Sequence, residues 1–180
     1  MRLLTRLIVF LAAAMLAAQP VAAQSILRDA ETEAFLDEIS APLIEAAGLE
    51  PDNVEIILIN DPSINAFVAG GQAVYIHSGL FDAADSAEEV QGVIAHELGH
   101  ITGGHILRYG EGAAAATKIS LLSMIAGIGA ALAGAGDAAM GIMMAGQQAA
   151  MGKFLAFSRT QESSADFAGA EYLSKSGISG

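Results

Sequence analysis

Cysteine and tryptophan are absent from this chain of 180 residues, and proline occurs only four times. Without cysteine there is no disulfide framework and no lipid-bearing residue at an export cleavage site. Any transition-metal site must then be assembled from histidine and carboxylate side chains. The lack of cysteine is compatible with an oxidising compartment and decides nothing further. Basic residues are scarce as well: eight Lys and Arg stand against twenty Asp and Glu, a net charge of −12. So acidic a chain repels phosphate backbones, which argues against nucleic acid as a partner. No internal repeat with a period of roughly 20–50 residues is visible, which argues against a solenoid. The length suits one domain with a sizeable core, not two.

Apolar residues are abundant, at 53%. The first run, MRLLTRLIVFLAAAMLAAQPVAAQ, has the layout of a secretory signal. Arg2 and Arg6 precede an apolar stretch from Leu7 to Ala18, and Val21-Ala22-Ala23 is a small-residue cleavage site. A retained membrane anchor is the competing reading, but the stretch is short for a span of ~20 residues, and Pro20 fits a cut after Ala23 better. Residues 1–23 are therefore expected to be a signal peptide and residues 24–180 a single domain. Cleavage leaves six basic and twenty acidic residues, a net charge of −14.

From Ser25 to Leu49, Phe35, Ile39, Leu43 and Ala47 form a helical stripe, with Asp29, Glu31 and Glu33 near the helix start and Pro42 expected to kink or split it. VEIILIN (Val54–Asn60) reads as a β-branched strand ended by a DPS turn. INAFVAGG and QAVYIHSG read as a hairpin turning at Gly70-Gly71. Together these segments predict a small, mainly antiparallel sheet of about three strands, with an open edge. Ser86 and Glu89 have capping-box spacing at the start of a helix whose apolar side carries Val90, Val93, Ile94 and Ile101. Lys153–Gly177 reads as a further helix stopped by Gly177. The fold class is thus α+β and mainly helical.

The helix opened by Ser86 carries VIAHELGH. His96 and His100, four residues apart, lie about 40° from one another around the axis, so both imidazoles can reach one zinc ion. Glu97 lies about 100° from His96 and can act on water without displacing a ligand. A third ligand is needed. HELGHITGGH nearly spells HExxHxxGxxH, but Ile106 occupies the position of the third histidine and His105 falls one short. In a continuous helix His105 would lie about 180° from His96, so it reads as a packing or supporting residue. His77 reads as a surface or cleft residue at a strand end. Glu162 is the better candidate, with Asp166 one helical turn on to hold a histidine ring by its other nitrogen. Taken by themselves, Glu162 and Asp166 would read as a solvated helix face.

HELGH followed at a distance by ESSAD (Glu162–Asp166) resembles the zinc metalloprotease family that includes the HtpX and CAAX prenyl proteases, most of all its periplasmic β-barrel assembly-enhancing branch. NAFVAGGQAVYIHSGL (Asn65–Leu80), His105 and FSRTQESSADFAGAEYL (Phe157–Leu173) resemble it too, and the likeness extends over roughly Ile26 to Gly180. The resemblance implies a zincin-type metalloprotease domain holding one Zn²⁺ per chain. His96, His100 and Glu162 would be its ligands, Glu97 the catalytic base and Asp166 the supporting carboxylate. Phe67, Val68, Ala69, Gly70 and Gly71 would be the edge that receives extended substrate, a mode that main-chain hydrogen bonding explains physically. Members of that branch continue past the position of Gly180 with more helices and tetratricopeptide repeats, so the domain is expected to be incomplete at its C-terminus. The expected function is a periplasmic zinc endopeptidase acting on extended segments of misfolded or misassembled envelope proteins, with outer-membrane assembly machinery as a partner through those repeats. The alternative is a non-proteolytic periplasmic chaperone or binding protein; an intact Glu97 argues against it.

Residues 113–151 are nearly uncharged and rich in Ala, Gly and Met, with a break expected at Asp137. They are either a buried helical hairpin packed through small residues or a membrane-facing element or lid over the cleft, with Met124, Met140, Met143 and Met144 as an adaptable apolar surface. Ile119–Gly136 is marginally long enough to cross a bilayer, though its Gly and Ala content makes insertion weak.

Overall fold

A computed structural model describes residues 25–178; the expected signal peptide lies outside the described residues. The elements run β1 (Ser25–Ile26), α1 (Ala30–Ala46), a 3₁₀ turn at Pro51–Asn53, β2 (Glu55–Asn60), β3 (Ala66–Ala69), β4 (Ala73–His77), α2 (Ser78–Ala83), α3 (Ala87–Thr102), α4 (His105–Leu132) and α5 (Gly136–Ser176). The class is α+β and mainly helical, as the patterning predicts.

The sheet is mixed, in the order β1-β2-β4-β3. The outer pairings, β1–β2 and β3–β4, are antiparallel, and the central one, β2–β4, is parallel. β3 turns back through Gly70 and Gly71, at φ 65° and 103°, where a side chain would be strained. It therefore occupies the outer edge and leaves β4 beside β2. Ile56 and Leu58 of β2 and Val74 and Ile76 of β4 are buried against the helices.

Those helices are α1 and α3. Leu36, Ile39, Leu43 and Ile44 of α1 meet Val90, Ile94 and Leu98 of α3 and Tyr172 of α5 in one cluster with the strand residues. Each such side chain contributes about 1.5–3 kcal/mol on burial. The inward stripe of α1 thus runs through Leu36, while Phe35 sits at its border, 38% exposed and edge-on to Phe81 at 6.0 Å. Pro42 does not split α1, which is continuous on both sides of it. A proline removes one hydrogen bond from the helix ladder, and the burial of Ile39, Leu43 and Ile44 around it offsets that loss.

The capping box at α3 is only partly formed. Ser86 occupies the N-cap without a side-chain bond, and the Glu89 carboxylate accepts from the Asp85 N–H at 2.9 Å. α5 runs unbroken for 41 residues, joining the second apolar stretch to the helix expected from Lys153. Its partner α4 ends just before Gly134, which is left-handed at φ 84°, so the turn precedes Asp137 by three residues. Gly177, at φ 76°, ends α5, and the Ile178 N–H closes the end on the Leu173 carbonyl at 3.0 Å.

Candidate metal centre and cleft

Two helices build the centre. α3 contributes His96, Glu97 and His100 from its second half, and the C-terminal part of α5 contributes Glu162 and Asp166. Small residues permit their close approach. A Cβ on Gly99 would stand 2.7 Å from the Ala165 carbonyl oxygen, and one on Gly169 would stand 3.0 Å from the His96 amide nitrogen. The backbones touch where the polar side chains meet.

The ligand-type atoms of His96, His100 and Glu162 all lie within 4.8 Å of one another. His96 Nε2 is 3.0 Å from His100 Nε2 and 3.5 Å from Glu162 Oε2, and His100 Nε2 is 3.7 Å from the same oxygen. In a tetrahedral site with bonds of about 2.0–2.1 Å, ligand atoms stand about 3.3 Å apart, so these three can form one face around a zinc-sized ion. All three residues line one cavity.

His96 Nδ1 is 2.8 Å from Asp166 Oδ1. A carboxylate there accepts the Nδ1 proton and leaves the Nε2 lone pair aimed at the cluster. His100 is oriented by a chain that spacing alone did not reveal. α3 stops at Thr102, and Gly104, left-handed at φ 61°, redirects the backbone so that α4 begins at His105. The His105 ring is buried, with Nδ1 3.0 Å from His100 Nδ1 and Nε2 2.9 Å from Ser164 Oγ. The Ser164 hydroxyl donates to the Gln161 carbonyl at 2.9 Å. With Nδ1–H of His100 donating to His105, and Nε2–H of His105 to Ser164, every donor has an acceptor and His100 Nε2 is left unprotonated. His105 therefore supports the cluster rather than joining it. Ser164 was missed in the sequence because a serine between two acids has no distinguishing pattern.

Burial pushes the Glu97 carboxyl above its ordinary range, opposed by His96 and reinforced by Glu162. Burial also pulls His100 below the usual imidazole value, with Glu162 opposing. His77 is away from this cluster: it is buried, its Nδ1 2.8 Å from Ser63 Oγ and its ring edge-on to Phe67.

A cavity of about 510 Å³ opens over the centre, lined by Ala66, Phe67 and Val68 on one side and by Tyr109, Phe154 and Phe157 on another. β3 is the free edge of the sheet on the β3–β4 side. The His77 N–H donates to the Asn65 carbonyl at 3.0 Å, just beyond the registered pairs Ala66–Ile76 and Phe67–Tyr75. Inward and outward groups alternate along an antiparallel strand, so the main-chain groups of Ala66 and Val68 turn to the open edge. Of the residues expected at this edge, Phe67, Val68 and Ala69 are strand, whereas Gly70 and Gly71 form the turn.

A helix bearing HExxH, joined by an acidic residue from a second helix beside a free strand edge, defines a metallopeptidase-type domain. The chain belongs to peptidase family M48, whose model matches residues 7–180. It is 31% identical over 157 residues to a putative beta-barrel assembly-enhancing protease of Vibrio cholerae, covering 86% of this chain and 32% of that protein. It is 30% identical over 146 residues to the beta-barrel assembly-enhancing protease of Escherichia coli, covering 80% of this chain and 29% of the relative. Metalloprotease YcaL of Escherichia coli is 31% identical over 132 residues, covering 72% of this chain and 47% of that protein. The chain thus spans about a third of the length of the first two relatives.

Proposed function

We propose that this domain is a zinc endopeptidase of the bacterial periplasm, exported by a cleaved signal peptide, that cuts extended segments of misfolded or misassembled envelope proteins. The observation that carries the reading is the convergence of His96 Nε2, His100 Nε2 and Glu162 Oε2 beside buried Glu97. In this reading His96, His100 and Glu162 hold one Zn²⁺ per chain. Bound there, zinc supplies a Lewis acid that polarises the scissile carbonyl and acidifies water.

Glu97 takes the proton from the attacking water and delivers it to the leaving amine. Its raised proton affinity suits both transfers. Asp166 and His105 hold the two imidazoles in the tautomers that leave Nε2 free. The open edge at Ala66 and Val68 receives the substrate backbone as an added strand, which selects extended chain over folded protein. The envelope setting is supported by relatives named as beta-barrel assembly-enhancing proteases, and it makes outer-membrane proteins the substrate class and their assembly machinery the partner.

The test is cleavage of casein by the zinc-loaded chain beside Glu97→Gln. Cleavage that depends on zinc and disappears in the variant is expected. A zinc-loaded chain that binds unfolded protein without cutting it would instead favour a chaperone.

A further inference from the structure

Over its first half, β2 has no strand among the described residues on the side away from β4. β1 pairs only Ser25 with Asn60 and Ile26 with Ile59, and the Leu27 N–H adds one bond to the Leu58 carbonyl at 2.9 Å. Asp29 then caps α1, and the chain leaves the sheet. The bonds to β4 decide which main-chain groups of β2 remain. The Glu55 N–H donates to the Gln72 carbonyl at 3.1 Å, so Glu55, Ile57 and Ile59 turn their N–H and C=O groups to β4. The alternate residues turn theirs to the β1 side. Leu58 meets Leu27 there, but the Ile56 N–H and C=O and the Val54 C=O lie beyond the point where β1 departs.

This edge opens into a cavity of about 600 Å³ between β2 and α1, within the size range of ligand sites. Ser40 and Ala41 line it from α1, and their small side chains keep it open. From Val54 to Leu58 the edge runs about 13 Å, enough for about four residues of added strand. Such a strand would pair the Ile56 groups.

Charge identifies the occupant. Glu33 and Asp37, one turn apart on α1, and Asp52 and Glu55 across the groove line the cavity, against Arg28 alone. All four acidic residues are exposed. A second copy of this chain, itself at net charge −12, is disfavoured on such a rim.

We propose that the groove docks an extended segment of a partner polypeptide bearing lysine or arginine, added to β2 as a strand beside Val54–Leu58. Its main chain takes the Ile56 groups, and its cationic side chains reach the carboxylates of the rim. The groove lies two strands from β3, so filling it leaves the metal-centre cleft open. The inference does not depend on catalysis.

The probe is a peptide of alternating lysine and valine, added to the Glu97→Gln chain so that it stays uncut. Amide exchange followed residue by residue by NMR reports on the edge directly. Binding should slow exchange of the Ile56 amide at least tenfold and leave Ile57, already turned to β4, unchanged. Asp37→Lys with Glu55→Lys, both at exposed positions, should weaken binding at least tenfold. A peptide of alternating glutamate and valine should not bind, which tests the charge requirement without altering the protein. Val68→Pro, on the opposite edge of the sheet, should bind the lysine peptide normally. Absent binding, Ile56 exchange unchanged at saturation, or affinity indifferent to charge reversal would overturn the proposal. So would loss of binding in Val68→Pro, since the peptide would then lie on β3.

Discussion

Gly169 on α5 lies against the backbone of His96 on α3, where an added Cβ would stand 3.0 Å from the His96 amide nitrogen. Gly99 makes the reciprocal approach to Ala165, with only 2.7 Å available to the carbonyl oxygen. These contacts set the separation of the helices that carry the two halves of the centre. Backbone cannot rotate aside as a side chain can, so Gly99→Ala must push α5 outward and take Glu162 from the histidines. The expected result is a folded protein whose zinc affinity falls at least tenfold, measured by chelator competition. Gly92→Ala on the same helix meets nothing within 4 Å and should keep full affinity. It should also gain roughly 0.5–1 kcal/mol in stability from the removal of a helical glycine.

Glu97→Gln and Glu162→Ala should separate chemistry from metal binding. The first keeps the shape of the buried side chain but cannot take a proton, so zinc content should be unchanged while kcat falls about 10²–10⁴-fold. The second removes the proposed third ligand, and zinc content after dialysis should drop. Asp166→Ala should lie between them, weakening zinc binding by about 10–100-fold through the freed His96 ring. Equal zinc content in Glu162→Ala and the parent chain would refute that ligand assignment.

Much of this arrangement was legible in the sequence because periodicity reports local structure. The four-residue spacings of His96 with His100 and of Glu162 with Asp166 placed each pair on one helix face, and Gly70-Gly71 marked the hairpin. Information carried by neighbours distant in the chain was harder to read. The parallel pairing of β2 with β4 depends on β3 folding to the outside, which no single segment encodes. His105 returns to His100 only because Gly104 takes a left-handed conformation, whereas a continuous helix would have turned it away. The continuity of α5 past Lys153 was hidden because the composition changes there while the helical backbone does not.

The metal-free protein should show two opposed pH dependences of stability. His100 is lowered from 6.5 by burial, so between its folded value and 6.5 the unfolded chain binds more protons. Stability from this group is therefore complete above 6.5 and is lost as pH falls through the folded value. Glu97 is raised from 4.5, so the folded chain binds more protons above 4.5, and its contribution is lost as pH rises through the folded value. Thermal denaturation of the metal-free chain beside His100→Gln and Glu97→Gln checks both signs. The His100 variant should lose the decline on the acid side, and the Glu97 variant the decline with rising pH. Zinc should add stability that disappears in acid as the histidines are protonated.

The free edge yields a prediction specific to substrate. Val68 turns its N–H outward by the strand alternation, whereas Phe67 turns inward to Tyr75. Val68→Pro deletes one outward donor without removing a bond to β4, and an edge strand tolerates proline there. One main-chain hydrogen bond is worth about 0.5–1.5 kcal/mol, so kcat/KM for an extended peptide should fall roughly 2–10-fold, with zinc content unchanged. Phe67→Pro instead breaks the β3–β4 ladder and should lower thermal stability as well. The decisive comparison is therefore peptide cleavage and melting temperature measured on both variants. Activity lost only together with stability would show that β3 supports the fold without receiving substrate; activity lost at constant stability in Val68→Pro would place the substrate strand on it.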